Sequence, residues 1–138
     1  MKNYKTIHIR SDHYIQLIDI TRDIRQYISE TGVQDGIILV YTPHTTAGIT
    51  INENADPAVT KDIETFLQKR IPHENYFRHM EGNSPSHIMS SYFSASETLI
   101  IDNGELLLGT WQGVYFCEFD GPKNRKVHLK IMKTQEDK

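Results

Sequence analysis

The run Ile37-Ile38-Leu39-Val40-Tyr41 constrains the fold more than any other stretch of this chain. It is the longest apolar run, and at five residues it falls far short of the roughly 20 needed to cross a bilayer as a helix. Branched side chains suit a pleated strand, and Gln34-Asp35-Gly36 before it and Pro43 after it are turn residues. The run therefore reads as a buried central strand, around which the rest of the chain builds a sheet.

Residues 4–10 are extended, with Ile7 and Ile9 set against Lys5, His8 and Arg10, and Tyr14–Ile18 is a second strand, which predicts an N-terminal hairpin. Ile20, Ile24, Tyr27 and Ile28 then recur at helical spacing. With Asp19 or Thr21 as cap and Gly32 as stop, they predict a helix over 21–31. After the central strand, Thr42–Gly48 is a polar break before Ile49-Thr50-Ile51. Asp56 as N-cap and Pro57 at the first helical position open a helix whose stripe is Val59, Ile63, Phe66, Leu67 and Arg70, ended by Pro72. A short helix over Pro85–Phe93 follows, with Ser84 as its cap. Thr98–Ile101 is a strand, Asp102-Asn103-Gly104 a turn, and Leu106–Leu108 with Val114–Phe119 an extended pair. In the last strand Val127, Leu129 and Ile131 face inward, His128 and Lys130 outward. With no repeat or linker, residues 1–138 read as a single α+β domain, a mixed, largely antiparallel sheet with two to three helices.

Fifteen Lys and Arg against 18 Asp and Glu leave a formal charge of −3, which argues against coating nucleic acid or an anionic membrane. The single cysteine, Cys117, lies in an apolar strand without a basic neighbour and reads as an inert core thiol. The first residues carry no signal-peptide pattern, so a cytoplasmic protein is expected.

Chemistry concentrates in His79-Met80-Glu81-Gly82-Asn83-Ser84-Pro85-Ser86-His87, which places two imidazoles, a carboxylate and an amide at a loop closing into a helix. A helix N-terminus there favours an anion and a neutral His87. A third imidazole, His44, lies in Pro43-His44-Thr45-Thr46-Ala47-Gly48. His8, His13, His73 and His128 have no comparable setting and read as surface residues.

Three blocks resemble the YjbQ family, also labelled UPF0047 or secondary thiamine-phosphate synthase: His44 to Pro57, His79 to His87, and Leu107-Leu108-Gly109-Thr110-Trp111-Gln112-Gly113-Val114 with Glu118 to Pro122. The resemblance covers nearly the whole chain. It implies an α+β trimer with a cleft lined by the matching histidines, and a secondary activity joining hydroxymethylpyrimidine diphosphate to thiazole phosphate with release of pyrophosphate. Relatives often carry Lys where this chain has Met89, a contact that Arg78, Lys123 or Arg125 would have to replace.

His44, His79 and His87 are then the natural facial set for a divalent metal, zinc first, because three imidazoles leave a position open. The competing readings are an anion pocket and a structural cluster. Glu81, two residues from His79, is the candidate general base, or else a partner orienting an imidazole. Thr45, Asn52, Asn54, Asn83, Gln112 and Arg125 are candidate contacts to a small phosphorylated metabolite, and Trp111 a surface for stacking its ring. For the asparagines turn formation competes with that role, and for Trp111 a place in the core. The enzymatic expectation is the synthase-like transferase. Metal-dependent phosphoester hydrolysis and a non-catalytic binding module are the rivals.

Overall fold

The computed structural model describes residues 3–134. In chain order they form β1 (Lys5–Arg10), β2 (Gln16–Asp19), α1 (Thr21–Thr31), β3 (Gly36–Tyr41), β4 (Ala47–Glu53), α2 (Pro57–Arg70), α3 (Ser84–Tyr92), β5 (Ser96–Asp102), β6 (Glu105–Leu106), β7 (Gln112–Glu118) and β8 (Asn124–Lys133). The fold is α+β, as expected. However, the strands divide into two sheets, β1-β8-β3-β5-β6 and β2-β7-β4, and every pairing among the described strands is antiparallel.

Local signals set the helices. Asp56 caps α2 by accepting from the Ala58 backbone N–H at 2.9 Å, with Pro57 in the first turn. Gly32 ends α1 in the left-handed region at φ 70°. Ile20 occupies the α1 cap position, and Asp19 accepts from the Thr21 N–H at 2.9 Å. At α3 the cap is Asn83, one residue earlier than expected, and Ser84 is the first helical residue. The α2 stripe is weaker than its spacing suggested: Leu67 is buried, but Phe66 is 59% exposed beneath the Arg70 guanidinium.

Three strand expectations are corrected. β1 and β2 form no hairpin, because β1 pairs with β8 and β2 with β7. The Leu106–Leu108 and Val114–Phe119 segments do not pair either: β6 closes a hairpin with β5 across Asn103 and Gly104, both at positive φ, while β7 belongs to the other sheet. β3 is central in its sheet but buried on one face only, with Ile38 and Val40 inside and Leu39 and Tyr41 exposed.

The strand buried on both faces is β7. Val114 and Phe116 join Ile38, Val40, Leu129 and α1 residue Ile24 in one core. The alternate residues Tyr115 and Cys117 join Leu17, Leu67 and Met89 in a second core beneath α2 and α3. Full burial of such side chains stabilises by about 1.5–3 kcal/mol each. β7 thus runs through the middle of the molecule, and what its two ends carry decides where chemistry is possible. Burial also pushes the Cys117 thiol up, consistent with an inert core role.

Candidate functional site: a buried polar corner

At the C-terminal end of β7 the apolar strand ends in Glu118, which has no exposed surface. A lone buried carboxylate would be costly, so its partners define the local structure. Arg125, at the start of β8, donates from Nε to Glu118 Oε1 at 2.8 Å and from Nη2 to the other oxygen. Ser11 Oγ donates to Oε1 at 2.6 Å, and the Asp120 backbone N–H to Oε2 at 2.9 Å. Arg125 Nη2 also donates to Thr46 Oγ1 at 2.8 Å. Burial alone would raise the Glu118 pKa, but these hydrogen bonds and the Arg125 charge hold it below the usual carboxylate value. Four separate segments are tied at this point.

The network continues to the start of α3. Asn83 Nδ2 donates to Asp120 Oδ2 at 3.0 Å and to Glu81 Oε2 at 3.2 Å, so one amide holds two carboxylates. Lys123 pairs with Asp120. Burial works to raise Asp120, but the bonds from Lys123 and Asn83 outweigh it and leave its pKa lowered. Two buried polar atoms here have no protein partner, Asn83 Oδ1 and Ser86 Oγ, and both lie at the first turn of α3. His79 and His87 stand edge to face with ring centroids 5.1 Å apart.

His44 reaches the same corner from the other side. Its Nε2 accepts the Lys126 backbone N–H at 2.9 Å, so the neutral ring carries its hydrogen on Nδ1. Burial and then the Arg125 charge lower its pKa, while Glu118 pulls the other way. Arg125, Glu118, Lys126 and His128 all act on its ring electrostatically. Among the described residues no group of three His, Cys, Asp or Glu side chains is close enough to hold a metal. One chain therefore offers His79 and His87 as a pair and engages the His44 ring elsewhere. The three-imidazole arrangement for zinc does not fit the side chains as a single chain places them.

The remaining predicted contacts lie at the opposite end of β7. Ala47 pairs with Glu118, but Glu53 pairs with Gln112, six residues back along the strand and so about 20 Å away. There Gln112 Oε1 accepts the Gly109 N–H at 2.7 Å, Asn52 Oδ1 accepts the Glu53 N–H at 2.7 Å, and Asn54 Nδ2 donates to Asp19 at 3.4 Å. Gln112 and Asn52 thus shape their own turns, while Asn54 ties β4 to the end of β2. Trp111 is 62% exposed and is not a core residue. Of the predicted contacts, only Thr45, Asn83 and Arg125 belong to the polar corner. Thr45 is exposed, and the Arg125 guanidinium is committed to Glu118 and Thr46.

Reading the sequence missed Ser11, Thr46, Glu118 and Asp120 as site residues. Glu118 left a signal, a carboxylate in the otherwise apolar run Val114–Phe119. Ser11 left none, since its partner is 107 residues away. Met89 is fully buried against the second core, so at this position the chain presents packing and no cation. His128 is half-buried between the rings of Tyr4 and Tyr41, with Thr6 Oγ1 2.9 Å from its Nδ1, and is more than a surface residue.

Comparison with known proteins agrees with this architecture. A sequence model for the family described as UPF0047 protein YjbQ-like matches residues 5–134. UPF0047 protein YugU of Bacillus subtilis is 51% identical over 129 residues, covering 93% of this chain and 98% of its own. UPF0047 protein MJ1081 of Methanocaldococcus jannaschii is 54% identical over 124 residues, 90% of each chain. The crystal structure of an uncharacterised conserved YjbQ/UPF0047 protein from Clostridium acetobutylicum is similar with a TM-score of 0.90 at 51% identity, over 93% of this chain and 99% of that one.

Proposed function

The chain belongs to the UPF0047 YjbQ-like family, and on that premise we propose that its polar corner binds the phosphate or diphosphate group of a small metabolite and acts on it as an enzyme resembling secondary thiamine-phosphate synthase. The observation that carries this reading is the pair of partnerless buried atoms, Ser86 Oγ and Asn83 Oδ1, at the first turn of α3. Buried polar atoms are nearly always hydrogen-bonded, so two orphans beside a histidine pair mark where a polar ligand group belongs. The helix N-terminus and the Ser86 hydroxyl supply donors to phosphate oxygens, and His79 and His87 flank them.

In the synthase reaction the thiazole nitrogen lone pair forms the new bond to the pyrimidine methylene carbon. The carbon–oxygen bond breaks, and pyrophosphate leaves with the electron pair. No proton has to be removed, so the corner's task is to stabilise departing charge and hold the two reactants in line. His44, with a hydrogen on Nδ1, is a donor in this arrangement, and Lys126 adds positive charge beside it. Glu81 is exposed and held by Asn83, which favours a hydrolytic reading in one respect: a carboxylate with no role in the synthase step is placed to activate water. A divalent metal, zinc first, would take His79 and His87 and need a further ligand from another chain of the expected cytoplasmic homotrimer.

Mixing the protein with both thiamine precursors and following thiamine phosphate and pyrophosphate tests the reading. Pyrophosphate release that requires the thiazole supports the synthase, and release without it identifies a hydrolase. Stoichiometric pyrophosphate binding with no turnover identifies a binding module. No binding and no turnover would overturn the proposal, and metal analysis of untagged protein decides the metal.

A further inference from the structure

The polar corner uses up the carboxylates around it and leaves two cations over. Glu118 is taken by Arg125, Asp120 by Lys123, and Glu81 is held by the Asn83 amide. Arg10, at the end of β1, and Lys126, on β8, pair with no carboxylate among the described residues. Asp12, two residues beyond Arg10, makes no ion pair with either.

The pairing of β1 with β8 brings these two cations together. Arg10 stands opposite Asn124 and His8 opposite Lys126, so Arg10 and Lys126 are diagonal neighbours, about 7–8 Å apart. All four residues are exposed and alternate with Ile9, which packs on the core, and with the buried Arg125. They therefore share the outward face of the sheet. The outward positions of β1, β3 and β8 include no carboxylate. Like charges held this close repel, and an oxyanion bound between them turns that repulsion into attraction.

A hollow of about 370 Å³ lies at this place, lined by His8, Ile9, Arg10, Asn124 and Arg125. Its size falls within the roughly 300–1,000 Å³ of small-molecule sites. The Arg125 guanidinium is committed to Glu118 and Thr46. The hollow's own donors are the Arg10 guanidinium, the Asn124 amide and the His8 ring, and among the described residues none of these side chains has a protein partner. An arginine fork matches two phosphate oxygens at once. The hollow also adjoins the corner, since Lys126 gives its main-chain N–H to His44. His8, Arg10 and Asn124 all lie outside the three blocks that carry the family resemblance, so the hollow belongs to this chain's own sequence.

We infer that this hollow is a second oxyanion site, which takes a phosphate group of a small metabolite on Arg10, Asn124 and His8, separate from the group bound at the start of α3. The site itself stands on its own geometry. Its place in a reaction rests on the reading above: with the departing diphosphate at α3, the hollow holds the monophosphate of the second reactant, and a reactant lacking that phosphate is rejected.

Inorganic phosphate is titrated into nitrogen-labelled full-length protein at constant ionic strength, with chloride as the control, and backbone amide shifts are followed by NMR. Saturable shifts are expected at residues 8–10 and 124–126 that chloride does not reproduce. Arg10→Gln should weaken this binding at least tenfold and Arg10→Lys by less, with the other amides unmoved, which shows that the variants fold. Amides that stay still at the hollow, that move equally with chloride, or that keep wild-type affinity in Arg10→Gln would overturn the inference. Residues 84–87 report the corner separately. Shifts at the hollow without shifts there count against the functional reading only, and the reverse counts against the second site only.

Discussion

The two ends of β7 are built from similar residue types and behave oppositely. At the Glu118 end, polar side chains are buried and bonded across long sequence distances, Ser11 to Glu118 and Thr46 to Arg125. At the Trp111 end Gln112 and Asn52 bond neighbours within their own turns, Gly109 and Glu53, Asn54 makes a single longer-range contact of 3.4 Å to Asp19, and the large aromatic faces solvent. The first end holds the fold together. The second stands on a fold that others maintain, and is free to recognise something outside it.

The largest test of that contrast is Arg125→Met, which leaves the buried Glu118 with its Ser11 and Asp120 hydrogen bonds but no opposite charge, and should destabilise by about 3–5 kcal/mol in urea denaturation. The double variant Glu118→Leu/Arg125→Met should recover most of the loss; failure to recover would mean the pair does more than satisfy itself. Glu118 has a lowered pKa in the fold, so its contribution is present above the ordinary carboxylate range and is lost as pH falls through the folded value. The acid limb of the stability profile, below about pH 4, should therefore flatten in the double variant.

Next in size is Gly121→Ala. The added methyl would lie 2.1 Å from the His13 carbonyl oxygen, backbone that cannot swing aside, and overpacking of this kind costs about 1–3 kcal/mol. Gly113→Ala, at the other end, meets the exposed Asn54 side chain at 2.6 Å and should cost less. Equal losses in thermal melts would erase the distinction between the ends. Asp56→Ala removes the α2 cap near the Trp111 end and should cost about 1 kcal/mol. Smallest of all, Trp111→Ala should change monomer stability by no more than about 0.5 kcal/mol when measured dilute, as expected for an exposed side chain. A loss of several kcal/mol would show that this residue serves the core after all.

Much of the fold was legible in short windows. The span of α1 and its Gly32 stop, the Asp56-Pro57 start of α2, the turn at Asn103-Gly104 and the inward alternation of Val127, Leu129 and the half-buried Ile131 all stand as expected. Each depends on contacts or backbone preferences within a few residues. Of the candidate site, the His79–His87 pair and Asn83 were legible because they share one loop and the helix it enters. The division of the predicted contacts between two ends of a strand was not, because residue type says nothing about which end of a sheet a turn occupies.

By itself, then, the sequence determined the elements, the family and the residue types available for chemistry. The tertiary structure alone decided that β1 turns to β8 instead of β2, that β7 rather than β3 is buried on both faces, and that His44 answers to Lys126 and Arg125 instead of to His79 and His87. Helix periodicity and capping are local energies that a short window contains. Strand pairing and the partnering of a buried charge are settled by which distant segments together remove the most apolar surface from water while leaving the fewest polar groups unpaired.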